Sequence, residues 1–342
     1  MFAAVRAIEY HLPEGVLTND ELAGAFPGWT PAKIADKTGI VQRHIAAPQE
    51  CASDLAVAAA RKLFASGACR PEEIDFLLLC TQSPDYFLPT TACILQDRLG
   101  LPTSAGALDY NLGCSGFVYG LSLAKGLVET GQAANVLLVT AETYSKFLHP
   151  ADRSVRPLFG DAAAATLVQG RHERPASGLP WIGPFVFGTD GKGMENLIVP
   201  AGGMRQPMQG RKAPGEDATA PIRSPDHLYM NGPEIFTFAL RAVPEAVKAL
   251  LARAERTIDE VDLFVFHQAN GFMLEALREK LKIPPEKFVV AMSHVGNTVS
   301  STIPIALKEA LGRQLLPPGK LVLLVGFGVG YSWAATLIYS SL

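Results

Sequence analysis

An excess of charge of either sign is missing from this 342-residue chain: 30 Lys and Arg stand against 33 Asp and Glu, a formal net charge of -3. That balance excludes a general electrostatic attraction to nucleic acid or to an acidic membrane, although a local basic patch is compatible with it. Long apolar runs are missing too. Nothing reaches the roughly 20 residues a membrane-spanning helix needs, and the opening MFAAVRAIEYHLPEG has no cleavage-site pattern, so a leaderless cytoplasmic protein is expected. Cysteine is sparse and irregular: Cys51, Cys69, Cys80, Cys93 and Cys114, with none beyond position 114. An odd number in a large chain suits reduced thiols better than a disulfide framework, and no CxxC or HxxxH spacing suggests a metal. Free cysteines are ordinarily small buried apolar residues, and at least four of these five are expected to be just that.

What is abundant is apolar sequence, 48% of the chain, enough for one or two large cores and about two domain-sized units. The chain also repeats itself. EEIDFLLLCTQS, beginning at Glu72, has a counterpart in IDEVDLFVFHQA, beginning at Ile258. Each copy continues with an amphipathic helix (TACILQDRLGLP; FMLEALREKLKIP), a second strand (GALDYNLG; FVVAMSHVG) and another helix. Each closes on an uninterrupted apolar strand, NVLLVTAE or LVLLVGFG, the pattern of strands buried on both faces. Strands alternating with helices imply mainly parallel sheets covered by helices, and two copies imply a pseudo-symmetric body of two α/β halves, 1–175 and 176–342, sharing a central helical layer. Residues from about 178 to 227, rich in Gly, Pro and polar side chains, are expected to run over the surface, with GGMRQPMQGRKAPGEDATAP as a mobile loop.

Ligands of open parallel sheets bind beyond the carboxyl ends of the strands, and three chemically able residues fall at such ends: Cys114, His267 and Asn297. Cys114, in NLGCSGF, stands where a helix begins. The partial positive charge of a helix N-terminus favours a thiolate, and Gly113 and Gly116 permit a sharp turn and a close substrate approach. Each residue has an ordinary reading as well: a buried thiol for Cys114, a hydrogen-bonded core imidazole for His267, a turn or helix cap for Asn297. Asn270 is placed either to bind substrate or to begin the next helix. The combination is much less expected by chance than any member alone.

Taken together, TGIVQRHIAAP, Cys114 with its CSGF context, HQAN at His267, GNT at Asn297 and GFGVGYSW at Gly326 resemble, in order and over essentially the whole length, a beta-ketoacyl-acyl-carrier-protein synthase III, a condensing enzyme of the thiolase superfamily. The resemblance implies a homodimer with a five-layer α-β-α-β-α thiolase-like fold, and substrates that are acyl-CoA and malonyl-acyl-carrier protein, with no separate cofactor. It implies an acyl group carried on Cys114, an enolate stabilised by His267 and Asn297, and an oxyanion site from the backbone N–H groups of Cys114 and Val329. Lys37, Thr38, Arg153, Gly232 and Asn270 fall at substrate-binding positions, and Phe159 and Leu88 at acyl-pocket positions, the latter where some members place a Phe from the partner subunit.

Several positions depart from the family pattern. Lys33 and Phe272 stand where a Trp and an Arg are usual, with Trp29 close by; Lys37 replaces an Arg, losing bidentate geometry but keeping charge; Pro233 replaces an Asn. Val329 replaces a glycine and would be strained at a positive φ. These changes cluster at the expected tunnel mouth and make acetyl a less secure acyl group. Alternatives are acyl transfer to an oxygen or nitrogen nucleophile and a Cys-His-Asn hydrolase. A biosynthetic thiolase is disfavoured, because it would carry a second cysteine in the C-terminal half.

Overall fold

In a computed structural model, residues 1–175, 178–208 and 224–341 are described. The first half runs through β1 (Phe2–His11) and a small antiparallel pair, β2 (Gly15–Thr18) and β3 (Gln42–Ile45), which encloses helices α1 (Asn19–Ala25) and α2 (Pro31–Thr38). It continues through α3 (Ala52–Ala65), β4 (Phe76–Cys80), α4 (Thr91–Arg98), β5 (Gly106–Tyr110), α5 (Gly116–Glu129), β6 (Asn135–Glu142) and β7 (Ala162–Arg171). Five of these strands form one sheet in the order β1-β7-β6-β4-β5, parallel at β6-β4-β5 and antiparallel at β1-β7-β6.

The second half begins with β8 (Ile182–Thr189) and two short strands, β9 (Leu197–Ile198) and β10 (Tyr229–Met230). There follow α6 (Gly232–Ala254), β11 (Leu263–Phe266), α7 (Gly271–Lys280), α8 (Thr302–Gly312), β12 (Leu321–Gly328) and β13 (Ser332–Tyr339). The second sheet has the order β11-β12-β13-β8. It repeats the arrangement of the first: β11, β12, β13 and β8 take the places of β4, β6, β7 and β1.

Alternate strand residues separate the layers. Leu137 and Val139 of β6 pack outward on α3, while Val136 and Leu138 pack inward on α5. Val322 and Leu324 of β12 meet the same inner layer of α5 and α8, and Leu321, Leu323 and Val325 face α6 and α7. The result is the expected five-layer α-β-α-β-α body, in which α5 and α8 are covered by sheet on both sides. That burial is why their sequences are apolar around most of the helix.

Two local expectations change. FVVAMSHVG is not a strand of the second sheet: it makes one isolated bridge, Phe264 to Phe288. Beyond that bridge the Gln268 amide takes the backbone groups a ladder would use, donating to Val289 O at 3.2 Å and accepting from Ala291 N at 2.8 Å. The stretch expected to leave the body at about residue 178 first contributes β8, paired with β13, before turning outward. Its alternating IGPFVFGT satisfies a sheet edge despite the Gly and Pro. Of the segment expected to be a mobile loop, residues 209–221 lie outside the described residues.

Candidate active site

Cys114 follows β5 and sits one residue before Ser115, the cap of α5. Backbone crowds it from the other sheet: a Cβ at Gly328 would lie 2.8 Å from Cys114 Sγ, and one at Gly326 would lie 2.7 Å from Ser115 Cα. A Cβ at Gly113 would meet Gln82 Oε1 at 2.6 Å and Val329 Cγ1 at 2.7 Å. Glycine is therefore required on both sides of the thiol for the two halves to close on it.

Cys114 after β5, His267 after β11 and Asn297, which the structure places in a loop and not at a strand end, line one cavity of about 70 Å³, together with Phe159, Gly232, Asn270 and Gly328. His267 follows β11 directly and is buried; its Nδ1 shares a hydrogen bond of 2.7 Å with Thr302 Oγ1. The Thr302 hydroxyl also lies 3.0 Å from Val299 O, so its one proton serves either the ring or that carbonyl. Burial drives the imidazole pKa down to about 3, so the ring is neutral at physiological pH. Asn297 is held by its backbone: its N–H donates to Leu158 O at 2.8 Å and its carbonyl accepts from Gly160 N at 3.0 Å. Its side chain accepts from Val299 N at 3.0 Å and donates to Ala269 O at 3.3 Å, which leaves the second amide hydrogen for the cavity.

The thiol differs from the sequence expectation. Burial is the larger effect and pushes the Cys114 pKa up to about 12, with buried Glu142 adding to the rise; the backbone N–H groups of Val329 and of Cys114 itself pull the other way. The helix start is real, but burial outweighs it and Cys114 rests as a thiol. Strain also falls elsewhere than expected. Val329 is not among the positive-φ residues, whereas buried Val299, two residues after Asn297, has φ of 55°.

Outside this cavity lies a wider opening lined by Trp29, Lys37, Thr38, Arg153, Asn270 and Phe272. Its two walls meet at Gly39 and Gly271, where a Cβ on Gly39 would come within 3.0 Å of Gly271 Cα. Lys37 is therefore at the mouth as expected, and so is Trp29; the ammonium groups of Lys33 and Lys37 each sit 5.8 Å from the Trp29 ring centre. Thr38 has its hydroxyl committed to Ile34 O at 2.7 Å, so it offers little to a ligand. Asn270 caps α7 through Met273 N and also lines the pocket. Pro233 occupies the first turn of α6, a position that needs no N–H. Phe272 stacks on Phe236 with ring centres 5.2 Å apart. Phe159 lines the cavity, but Leu88 does not: it is 84% exposed beside Tyr86 and Phe87.

Glu142, Thr302, Val299 and Gln82 were not singled out from sequence. Glu142 and Gln82 meet the site only through contacts distant in sequence, such as the hydrogen bond across 60 residues that joins them, whereas Val299 and Thr302 lie just past Asn297 but declare their roles only through a hydrogen bond to Asn297, an unusual φ and the contact with His267.

A thiol, a neutral imidazole and a carboxamide brought from two duplicated halves into one narrow cavity define a condensing enzyme of the thiolase-like fold. The chain belongs to the 3-oxoacyl-acyl-carrier-protein synthase III family. Residues 108–191 match the family described as 3-Oxoacyl-[acyl-carrier-protein (ACP)] synthase III, and residues 251–340 match its C-terminal part. The beta-ketoacyl-acyl-carrier-protein synthase III of Caldanaerobacter subterraneus subsp. tengcongensis is 38% identical over 331 residues, covering 96% of this chain and 95% of that protein. A crystal structure of a 3-oxoacyl-(acyl-carrier-protein) synthase III is 58% identical with a TM-score of 0.94, covering 99% of this chain and 100% of that one. The 3-oxoacyl-(acyl-carrier protein) synthase of Burkholderia xenovorans LB400 is 37% identical with a TM-score of 0.89, covering 99% and 94%. Among the described residues no helix is long and apolar enough to cross a membrane.

Proposed function

We propose that this chain performs the decarboxylative Claisen condensation of an acyl thioester with malonyl-acyl-carrier protein, as a cytoplasmic acyltransferase of the EC 2.3.1 class that needs no resident cofactor. The observation that carries the reading is the shared cavity of Cys114, His267 and Asn297. In the first half-reaction Cys114 Sγ attacks the acyl thioester carbonyl. The oxyanion is met by the N–H groups of Cys114 and Val329, and the proton lost by Cys114 leaves with the departing thiol. In the second, malonyl thioester loses carbon dioxide, and its enolate oxygen accepts from the Asn297 amide and from His267 Nε2–H. The enolate carbon attacks the acyl carbonyl, and the sulfur of Cys114 is released and reprotonated. A neutral His267 serves as donor through Nε2–H when the Thr302 hydroxyl donates a hydrogen bond to Nδ1, which sets the tautomer.

Lys37, Arg153, Gly232 and Asn270, which line the cavity and its opening, would hold the pantetheine arm and its phosphate, with Lys37 acting as a point charge. The functional unit is a homodimer. Tyr86, Phe87 and Leu88 form an exposed apolar run, and Leu88 would reach the acyl pocket of a second copy.

The test is a panel of acyl-CoA and acyl-carrier donors, the mass shift on Cys114, and then addition of malonyl-carrier protein. An acyl adduct that lengthens is expected; no adduct from any donor, with the thiol intact, overturns the reading. His267→Ala should keep the adduct and lose decarboxylation by roughly 10²- to 10³-fold, as for removal of one oxyanion donor.

A further inference from the structure

Behind the nucleophile lies an acid that the condensation does not use. Glu142 ends β6 and is fully buried. One carboxyl oxygen accepts from Gln82 N at 3.0 Å and Ser83 Oγ at 3.3 Å, in the turn after β4; the other accepts from Ser300 Oγ at 2.8 Å, three residues past Asn297. The side chain thus spans from the half that supplies Cys114 to the half that supplies His267 and Asn297. The turn it holds matters, because Gln82 packs on the Gly113 backbone immediately before the nucleophile. None of the ion pairs among the described residues includes Glu142. The ionisable groups that face it are Cys80 from β4, Tyr110 from β5, Cys114 before α5, and Tyr144 and Asp161 from the chain that follows β6; the 299–301 turn presents only hydroxyls. Every one is an acid.

We infer that Glu142 is a positioning residue that ties the 82–83 turn to the turn after Asn297, and that it supports Cys114 only in its neutral form, its ionisation suppressing thiol reactivity at alkaline pH. The same three partners can serve a neutral carboxyl once one of them turns: Gln82 N and Ser83 Oγ keep donating to one oxygen, and the Ser300 hydroxyl, which donates to the other, rotates to accept the acid's O–H instead. Burial supports the same state, raising the Glu142 pKa to about 8 in spite of the hydrogen bonds that lower it. Above that pH an uncompensated charge appears in a dry space beside the thiol and opposes formation of both the thiolate and the reaction oxyanions.

The test rests on Cys114 as the reactive thiol but not on its acyl chemistry. Alkylation of Cys114 by iodoacetamide, read by intact mass between pH 6 and pH 10, requires a thiolate and no acyl donor, so it stands or falls separately from the proposed reaction. In the wild type the rate should rise less steeply across the ionisation of Glu142. Glu142→Gln, isosteric with the neutral acid and able to keep all three hydrogen bonds, should restore a log-linear rise and react about tenfold faster at pH 9.5, the effect of removing roughly one unit of like-charge shift. Glu142→Ala, which frees both turns, should instead slow alkylation and acylation at every pH. Identical profiles for the wild type and Glu142→Gln overturn the inference. Should Glu142→Gln not fold, infrared titration of the wild type decides: loss of one protonated-carboxyl band between pH 7 and 9, in step with the alkylation profile, supports it, and no carboxyl titrating there overturns it.

Discussion

The residues that decide whether Cys114 can act are partly ones without side chains. Gly328 sits so close to the nucleophile that a Cβ would lie 2.8 Å from Cys114 Sγ and 2.9 Å from Cys114 Cβ. Gly328→Ala is expected to keep the fold, because its strand is paired on both sides, and to lose at least 100-fold in acylation as the thiol is displaced from its oxyanion donors. Adduct formation measured beside an unchanged circular dichroism spectrum checks this. Thr302→Val removes the partner of His267 Nδ1 at nearly constant volume. It should lower malonyl decarboxylation by about 10- to 100-fold, within what one oxyanion donor contributes, while leaving the acyl adduct on Cys114 intact. Cys114, His267 and Asn297 were legible in sequence because their chemistry and motif order are local properties. The state of the thiol was not: a helix start predicts a thiolate, but burial by residues from the opposite half outweighs it and makes a thiol.

At the scale of elements, α2 and α7 meet at two glycines, and this contact places Lys37 opposite Asn270 and Phe272 at the mouth. A Cβ at Gly271 would come within 3.1 Å of Gly39 Cα, so Gly271→Ala should spread the mouth. The expected result is a several-fold higher KM for the acyl donor with kcat little changed, since the interaction lost is uniform binding; an equal fall in kcat would place the damage at the chemistry instead. The repeat of strands and helices was readable because buried strands and amphipathic helices have different apolar periods. FVVAMSHVG misled because its apolar pattern is that of a strand, while the Gln268 side chain takes over its backbone hydrogen bonds. Local periodicity does not register such a competitor from another segment.

For the whole molecule, two buried groups tilt stability in opposite directions with pH. His267 has its folded pKa depressed to about 3, so its contribution is present above its unfolded value of 6.5 and is lost as pH falls towards 3. Glu142 is raised from 4.5 to about 8, so its contribution is present below 4.5 and is lost as pH rises through 8. Denaturant unfolding should therefore show stability falling on both sides, and Glu142→Gln should recover about 2–5 kcal/mol at pH 8 relative to the wild type, on the scale of 1.4 kcal/mol per pKa unit. The exposed Tyr86-Phe87-Leu88 run belongs to this scale as well. Phe87→Asp with Leu88→Asp should convert the proposed dimer to monomer in sedimentation and lower condensation; a dimer that persists would place the interface elsewhere.

By itself the sequence determined the duplicated α/β body, its apolar layering and the identity of the thiol, imidazole and carboxamide that the cavity brings together, because periodicity and residue chemistry are carried by neighbours along the chain. Tertiary structure alone decided that Cys114 rests protonated, that strain sits at Val299 and not Val329, that Thr38 is committed inside its helix, and that Glu142 bridges the two halves. Each depends on desolvation or hydrogen bonding supplied by residues far away in sequence, and those energies exist only once the two sheets have closed around the central helices.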